Sequence, residues 1–282
     1  MLAYIIRRIL YAVPILIGVN ILTFMLFFMV NTPDQMARIQ LGDKHITQQD
    51  INTWKAQRGY DKPLFINTDE AGIEVVTETI FFDKSIKLLA FDFGKSDEGR
   101  NIAADVEERM WPSLAMQIPT FAIGIFVNIC FALIIVMFRG SLFEYVSLTF
   151  CVGLLSISAV FYILGGQFFF AKLWNLVPIS GYLTGADALR FLILPIIIGV
   201  IAGIGAGTRL FRTIFIEEAN KDYIRTARAK GVSELNVLFK HLLPNGLIPI
   251  LTSVVVMIPQ LFMGSLLMEA FFGIPGLGSY TL

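Results

Sequence analysis

Asp222–Pro249, DYIRTARAKGVSELNVLFKHLLPNGLIP, lies between two long apolar runs and decides how the chain is read. The residues from Glu217 to Lys230 read as a helix ended by Gly231, since glycine tolerates the left-handed backbone of the C′ position. Arg228 and Lys230 fall at the negative end of that helix, where cations are favoured. Ser233 can cap a second short helix, Glu234 to Leu243, which Pro244 is expected to disturb before the next apolar run. The predicted result is a helix–turn–helix knob. Leu235, Leu238, Phe239 and Leu242 give its second helix an apolar stripe at helical spacing, and an exposed stripe needs a covering surface. A docked protein would cover it, and so would the bilayer surface, where amphipathic connectors also lie.

The remaining chain is too apolar for a water-soluble domain. Of 282 residues 56% are hydrophobic, 25 are Phe, and only 16% are charged, so lipid is the expected solvent. The formal net charge is zero, which gives no sign of nucleic-acid binding. Cys130 and Cys151 fall in separate apolar runs and read as small core side chains, with no disulfide framework or metal site. In the segment before the second run only His45 is present as a potential nitrogen ligand, which argues against direct metal handling.

A membrane crossing takes roughly 20 apolar residues. Five runs qualify, at about Ile9 to Val30, Pro112 to Phe138, Leu142 to Phe170, Phe191 to Leu210 and Gly246 to Phe271. The first is too long for a signal peptide and lacks a small-residue cleavage site, so it reads as a retained span. Arg7, Arg8, Arg139, Arg209, Arg212, Lys221, Arg225, Arg228, Lys230 and Lys240 flank the spans on one side. The short loop from Ala171 to Arg190 carries only Lys172 and Arg190. The positive-inside rule then places the N-terminus and the knob in the cytosol. Residues 31–111 would lie outside, with ten Lys/Arg against fifteen Asp/Glu, a net of −5. Within them Thr47 to Gln57 reads as a capped helix, Gly59 to Pro63 and Phe93 to Ser96 as turns, and Ile73 to Thr77 as a short strand. The expected divisions are residues 1–30 (cytosolic end and first span), 31–111 (extracytoplasmic) and 112–282 (helical core with a cytosolic loop at 211–245).

The knob closely resembles the permease subunits of ABC importers, in particular the peptide and nickel branch of binding-protein-dependent systems. Their general signature is E-A-A-x-x-x-G, nine residues, then I-x-L-P. With Gly231 as anchor, Arg225, Thr226 and Ala227 occupy the E-A-A positions, His241 the Ile position, and Leu243 and Pro244 the L-P. The peptide branch reads closer to Y-x-R-T-A-R-A-K-G followed by H and N-x-x-x-P. Tyr223, Arg225 to Gly231, His241, Asn245 and Pro249 match that form. Tyr4 to Arg8, Gly59 to Leu64, Phe91 to Ser96, Val177 to Gly181 and Glu269 to Gly278 also look like that branch. Relatives often carry a proline where this chain has Ser156 to Phe161, and they continue into a sixth span that is missing here.

The resemblance implies an all-α membrane protein, a multi-span helical bundle of the type I ABC importer permease kind with a mostly helical or irregular outer segment. It would be an inner-membrane, multi-pass half of a pore, moving peptides or a related small solute. Its implied partners are a second permease, two cytosolic ATPases and an extracytoplasmic solute-binding protein. The chain has no G-x-x-x-x-G-K-[ST] phosphate loop, so it is expected to be no enzyme and to bind no cofactor, with ATP and Mg held by the partner ATPase. The ATPase-coupling residues implied are Tyr223, Arg225, Thr226, Ala227, Arg228, Ala229, Lys230, Gly231, Leu243 and Pro244. Ala227, Ala229 and Gly231 would allow close approach.

Pore or gate candidates are Gly203, Gly205, Gly207, Glu269, Pro275 and Gly276. The three span glycines suit close helix packing or a flexible gate. Glu269, a carboxylate near a span end, is expected to face water, a cation or the pore. Asn20, Asn128 and Gln167 are expected to bond across helices, and His241 to serve on a helix surface. An ion-gradient carrier would need acids inside the spans, and only Glu144 and Glu269 approach that description. A non-transporting scaffold would leave the knob without a purpose.

Overall fold

The computed structural model describes residues 2–42, 46–68, 72–89, 91–96, 99–183 and 185–281; His45 and Leu282 lie outside them. Among the described residues the regular structure is helical, and an isolated antiparallel bridge joins Lys95 to Asn101. The chain forms two compact units, residues 1–103 and 104–282.

The first unit begins with α1 (Leu2–Val30), whose large apolar side chains stand exposed along most of its length. A helix with no polar face is suited to lipid. Helix α2 (Pro33–Leu41) starts at a capping box between Thr32 and Gln35, and α3 (Gln48–Arg58) at one between Thr47 and Asp50. Each box supplies donors and acceptors that a helix start leaves open. Helix α3 is the helix expected near Thr47, and Gly59 ends it in the left-handed conformation. Ala37, Ile51 and Trp54 pack α2 on α3, while Phe24 and Phe28 at the end of α1 are buried with Ile80. The strand expected at Ile73 to Thr77 is instead a helical turn, Glu74–Thr77. Val76 and Thr77 donate to the Ile73 carbonyl and Glu78 to that of Glu74, so the backbone is satisfied locally with no ladder.

The second unit is built on α4 (Ile102–Met137), α5 (Leu142–Ser156), α6 (Ala159–Leu173), α7 (Ala188–Ala219), α8 (Asp222–Ala229) and α9 (Glu234–Phe262). Two short helices, α10 (Leu266–Phe272) and α11 (Leu277–Tyr280), follow. Among the described residues four helices, α1, α4, α7 and α9, are long and apolar enough to cross a membrane, and α5 with α6 gives a fifth crossing if the bent pair counts as one.

Four expectations about these helices are corrected. The third run is not a single rod: α5 and α6 meet at 90°. The bend needs no proline: the Leu154 carbonyl takes the Ile157 amide at 3.4 Å and the Tyr162 hydroxyl at 2.7 Å, and the Ser156 hydroxyl bonds back to the Val152 carbonyl at 3.0 Å, a back-bond that bends helices. The last run stops at Phe262, where Gly264 at φ +71° turns the chain into α10. Pro244 does not separate the knob from that run. A π-wound turn, Val237–Leu242, precedes it within one continuous helix, and such widened turns absorb the donor that proline lacks. Likewise the helix expected from Glu217 to Lys230 is two helices, parted at Asn220 and Lys221.

Glycines let these helices approach closely, as membrane packing requires. A Cβ on Gly205 would come within 2.6 Å of the Cys151 carbonyl, one on Gly199 within 2.7 Å of Thr120, and one on Gly246 within 2.6 Å of the Phe215 ring. The α5–α7 contact also holds an ion pair between Glu144 and Arg212, with the Gly140 amide donating to Glu144 at 2.7 Å.

In the first unit Lys62 bridges Glu78 at 2.6 Å and Asp83 at 2.7 Å, and Lys87 joins Asp83 at 2.6 Å. Burial opposes ionisation of Asp83, but the hydrogen bonds from Lys62 and Lys87 outweigh it and hold its carboxyl below its usual range. Hydrogen bonds to Asp83 and Glu78 raise the Lys62 ammonium. The Asp83 contribution is therefore present above its unfolded value of about 3.9 and lost as pH falls through the folded one; that of Lys62 is present below about 10.4 and lost above the folded value. The opening free energy of the backbone around Lys62 and around Asp83 to Lys87, taken from amide exchange after division by the intrinsic base-catalysed rate, should be flat from about pH 5 to 9 and fall on acidification, with Asp83→Asn flattening the acid limb.

Candidate functional site

The knob has two faces. Ile224 and Ala227 of α8 and Val237, Leu238 and Leu242 of α9 are buried in one core with Phe211 and Phe215 of α7 and Ala132, Leu133 and Val136 of α4. Helix α8 ends in a Schellman turn: Gly231 (φ +75°) donates to the Arg228 carbonyl at 2.9 Å and Val232 to that of Ala227 at 3.3 Å. This geometry satisfies the last carbonyls and needs a residue without a Cβ at Gly231. Arg228 spans the turn, its Nε and Nη2 donating to the two Glu234 oxygens at 2.9 and 3.1 Å. On the inner side the Tyr223 hydroxyl donates to Glu218 at 2.6 Å. Burial, and then this bond to a carboxylate, push the Tyr223 phenol far above its ordinary value.

The expected docking set therefore divides. Arg225, Thr226, Arg228, Ala229, Lys230, Gly231 and Pro244 are exposed, whereas Tyr223 and Leu243 are half-buried and Ala227 is buried. Ala227 is small to fit the chain's own core, so it offers no close approach to an outside partner. The apolar stripe divides in the same way: Leu238 and Leu242 point into the core, while Leu235 and Phe239, one turn apart, stand 60% and 55% exposed.

A cavity of about 470 Å³ opens between α4, α7 and α9. Gly203 and Gly207 line it, and Gly205 does not. Helical geometry explains this, since residues four apart share a face and the one between them points nearly opposite; Gly205 packs on α5 instead. Asn128 also borders the cavity and accepts from Thr208 at 3.0 Å, a bond between α4 and α7. Gln167 donates to the carbonyls of Ile179 and Phe271, and Asn20 to that of Ser85. Gln117 and Gln260 were not singled out from the sequence, yet both line this cavity; their only signal is that they are amides within apolar runs.

Glu269, Pro275 and Gly276 do not line the cavity. Glu269 is fully buried and faces neither water nor a cation. Its Oε1 accepts from Ser113 Oγ at 2.7 Å and from the Ser265 amide at 3.1 Å, and its Oε2 from the Ser279 amide at 2.8 Å. Ser113 in turn accepts from the Leu277 amide at 2.8 Å. The carboxylate thus clasps α10, α11 and the start of α4, and Gly276 lies against it where no Cβ would fit. Pro275 is exposed.

Residues 113–282 match the family described as binding-protein-dependent transport system inner membrane component, and residues 1–116 match its N-terminal companion. The chain belongs to this family. It is similar to the oligopeptide transport system permease protein AppB of Bacillus subtilis, at 28% identity over 295 residues. It is also similar to the glutathione transport system permease protein GsiC of Escherichia coli K12, at 31% over 282 residues. Each match covers 99% of this chain and 85% of the relative. The family and these relatives make the protein an ABC importer permease of the peptide and nickel branch, a multi-pass membrane component of a system that also comprises a binding protein and ATPase partners.

In this permease every group touching the Glu269 carboxylate is a donor. Glu269→Gln would turn an amide N–H₂ against one of them, with a destabilisation of about 2–3 kcal/mol. Ser113→Ala removes one charge-assisted bond and the acceptor of the Leu277 amide and should cost about 2–3 kcal/mol. Thermal unfolding in detergent should place both variants below wild type by a similar margin.

Proposed function

We propose that this permease forms one wall of a pore shared with a second permease, moves peptides or a related small solute inward, and is driven through its knob by two cytosolic ATPases. In this reading the N-terminus and knob are cytosolic, as the basic flanks indicate, residues 31–111 are extracytoplasmic, and a solute-binding protein delivers the cargo from that side. ATP and Mg are held by the ATPase. The names of the similar proteins support a peptide-like cargo.

The observation that carries the reading is the division of the knob. Its inner face belongs to the same core as α4, α7 and α9, so a push on its outer face reaches the spans without passing through a flexible joint. The outer face offers what an ATPase groove needs: exposed cations at Arg225, Arg228 and Lys230, and two apolar anchors at Leu235 and Phe239. Movement of this rigid element by ATP-driven closure of the ATPase pair would open the cavity alternately to the two sides.

The test is a pull-down from detergent-solubilised membranes with Arg225→Glu and Phe239→Ala beside the wild type. Wild type should recover an ATPase and a second permease. Each variant should retain the permease and lose the ATPase by about tenfold, as expected for an interface anchor or a reversed charge. Recovery of the wild-type chain alone, or equal ATPase recovery by all three, would overturn the coupling role.

A further inference from the structure

We propose that Gln117 and Gln260 are the groove's polar contacts to its cargo, pairing with neutral backbone amides rather than with side-chain charge. This rests on the groove being the transport path, as proposed above. Gln117 lies on α4 and Gln260 in the last turn of α9, and both border the cavity of about 470 Å³. Gln117 is half-buried and Gln260 exposed. Among the described residues neither side-chain amide bonds to the rest of the chain, whereas Thr120 at the same wall is committed to the Met116 carbonyl and Asn128 accepts from Thr208.

An amide left open inside a membrane-spanning bundle costs several kcal/mol unless water or a ligand satisfies it. Two such amides facing one groove mark it as wet or occupied. Each presents an N–H₂ donor and a carbonyl acceptor, the complement of a peptide group's own acceptor and donor. The rest of the lining fits a backbone reader. None of it is Asp, Glu, Lys, Arg or His, so no fixed charge selects or traps an ionised side chain. Gly203 has open space where a side chain would stand, Gly207 makes room for the Asn128 amide, and the flexible Met257 adapts to varied apolar shapes. Passage also requires binding weak enough to release, which neutral hydrogen bonds satisfy and buried ion pairs do not.

The complete importer (this chain, the second permease, the ATPases and the binding protein) is reconstituted in proteoliposomes with a neutral tripeptide and its acidic and basic analogues. Uptake and ATP hydrolysis are measured at saturating loaded binding protein. Gln117→Leu and Gln260→Leu should assemble and hydrolyse ATP like wild type but move about fivefold less peptide per ATP, the equivalent of one neutral hydrogen bond. The loss should be the same for all three peptides. Gln117→Glu should retain uptake and favour the basic peptide over the acidic one by about tenfold. Assembled Leu variants with unchanged peptide per ATP, a Glu variant without charge preference, or loss of the second permease from the Leu variants would each overturn the amide assignment. The last result would make the amides contacts between permeases. Absence of ATP-dependent uptake by the wild-type complex would instead overturn the reading of the groove as a path.

Discussion

The Phe215 ring lies against Gly246, where any side chain would collide with it, and this close contact of α7 with α9 is the centre of a core that also takes in α4 and the knob. Hydrocarbon neighbours give no hydrophobic reason for two spans to associate, so association depends on packing, and glycine permits it. Because Ile224, Val237 and Leu242 insert into that same core, the knob is the end of the span bundle rather than a loop hung from it. Truncating a ring so enclosed ordinarily costs about 3–5 kcal/mol, a measure of how firmly the knob and the spans are held to one another.

Charge is partitioned with equal economy of contact. The carboxylates inside the second unit are closed off: Glu144 by Arg212 and the Gly140 amide, Glu218 by Lys221 and Tyr223, Glu269 by two amides and a serine hydroxyl. The groove between the spans is left neutral. A carrier that harvests an ion gradient would need an acid presented to that groove, and the acids here are spent on structure. Exposed cations collect instead on the outer face of the knob, at Arg225, Arg228 and Lys230.

Much of this was legible in the residues. The apolar runs located the spans, Thr47 marked the start of α3, and the pattern Tyr223 to Gly231 carried the family. Glycine spacing indicated packing, but not which of Gly203, Gly205 and Gly207 met a neighbour, because the facing of a helix apolar on every side is set by partners distant in sequence. The bend at Ile157 was hidden for a related reason. No proline marks it, and Tyr162, whose hydroxyl bonds the Leu154 carbonyl at the bend, is read as an ordinary span residue until the chain has folded. Pro244 misled in the opposite direction, since a π-wound turn absorbs it. Glu269 was conspicuous as an acid near a span end, yet its ligands Ser113 and Ser279 lie 156 residues away on one side and ten on the other, and only the fold brings them together.

The shared core predicts that the knob and the spans move as one mechanical body. Hydrogen exchange of the detergent-solubilised chain measures this directly. Amides of residues 223–229 and 237–242 should be protected to the same degree as those of 208–219, and Phe215→Ala should release both segments together. Rapid exchange of the knob beside protected spans would show a flexible loop that transmits no force to them.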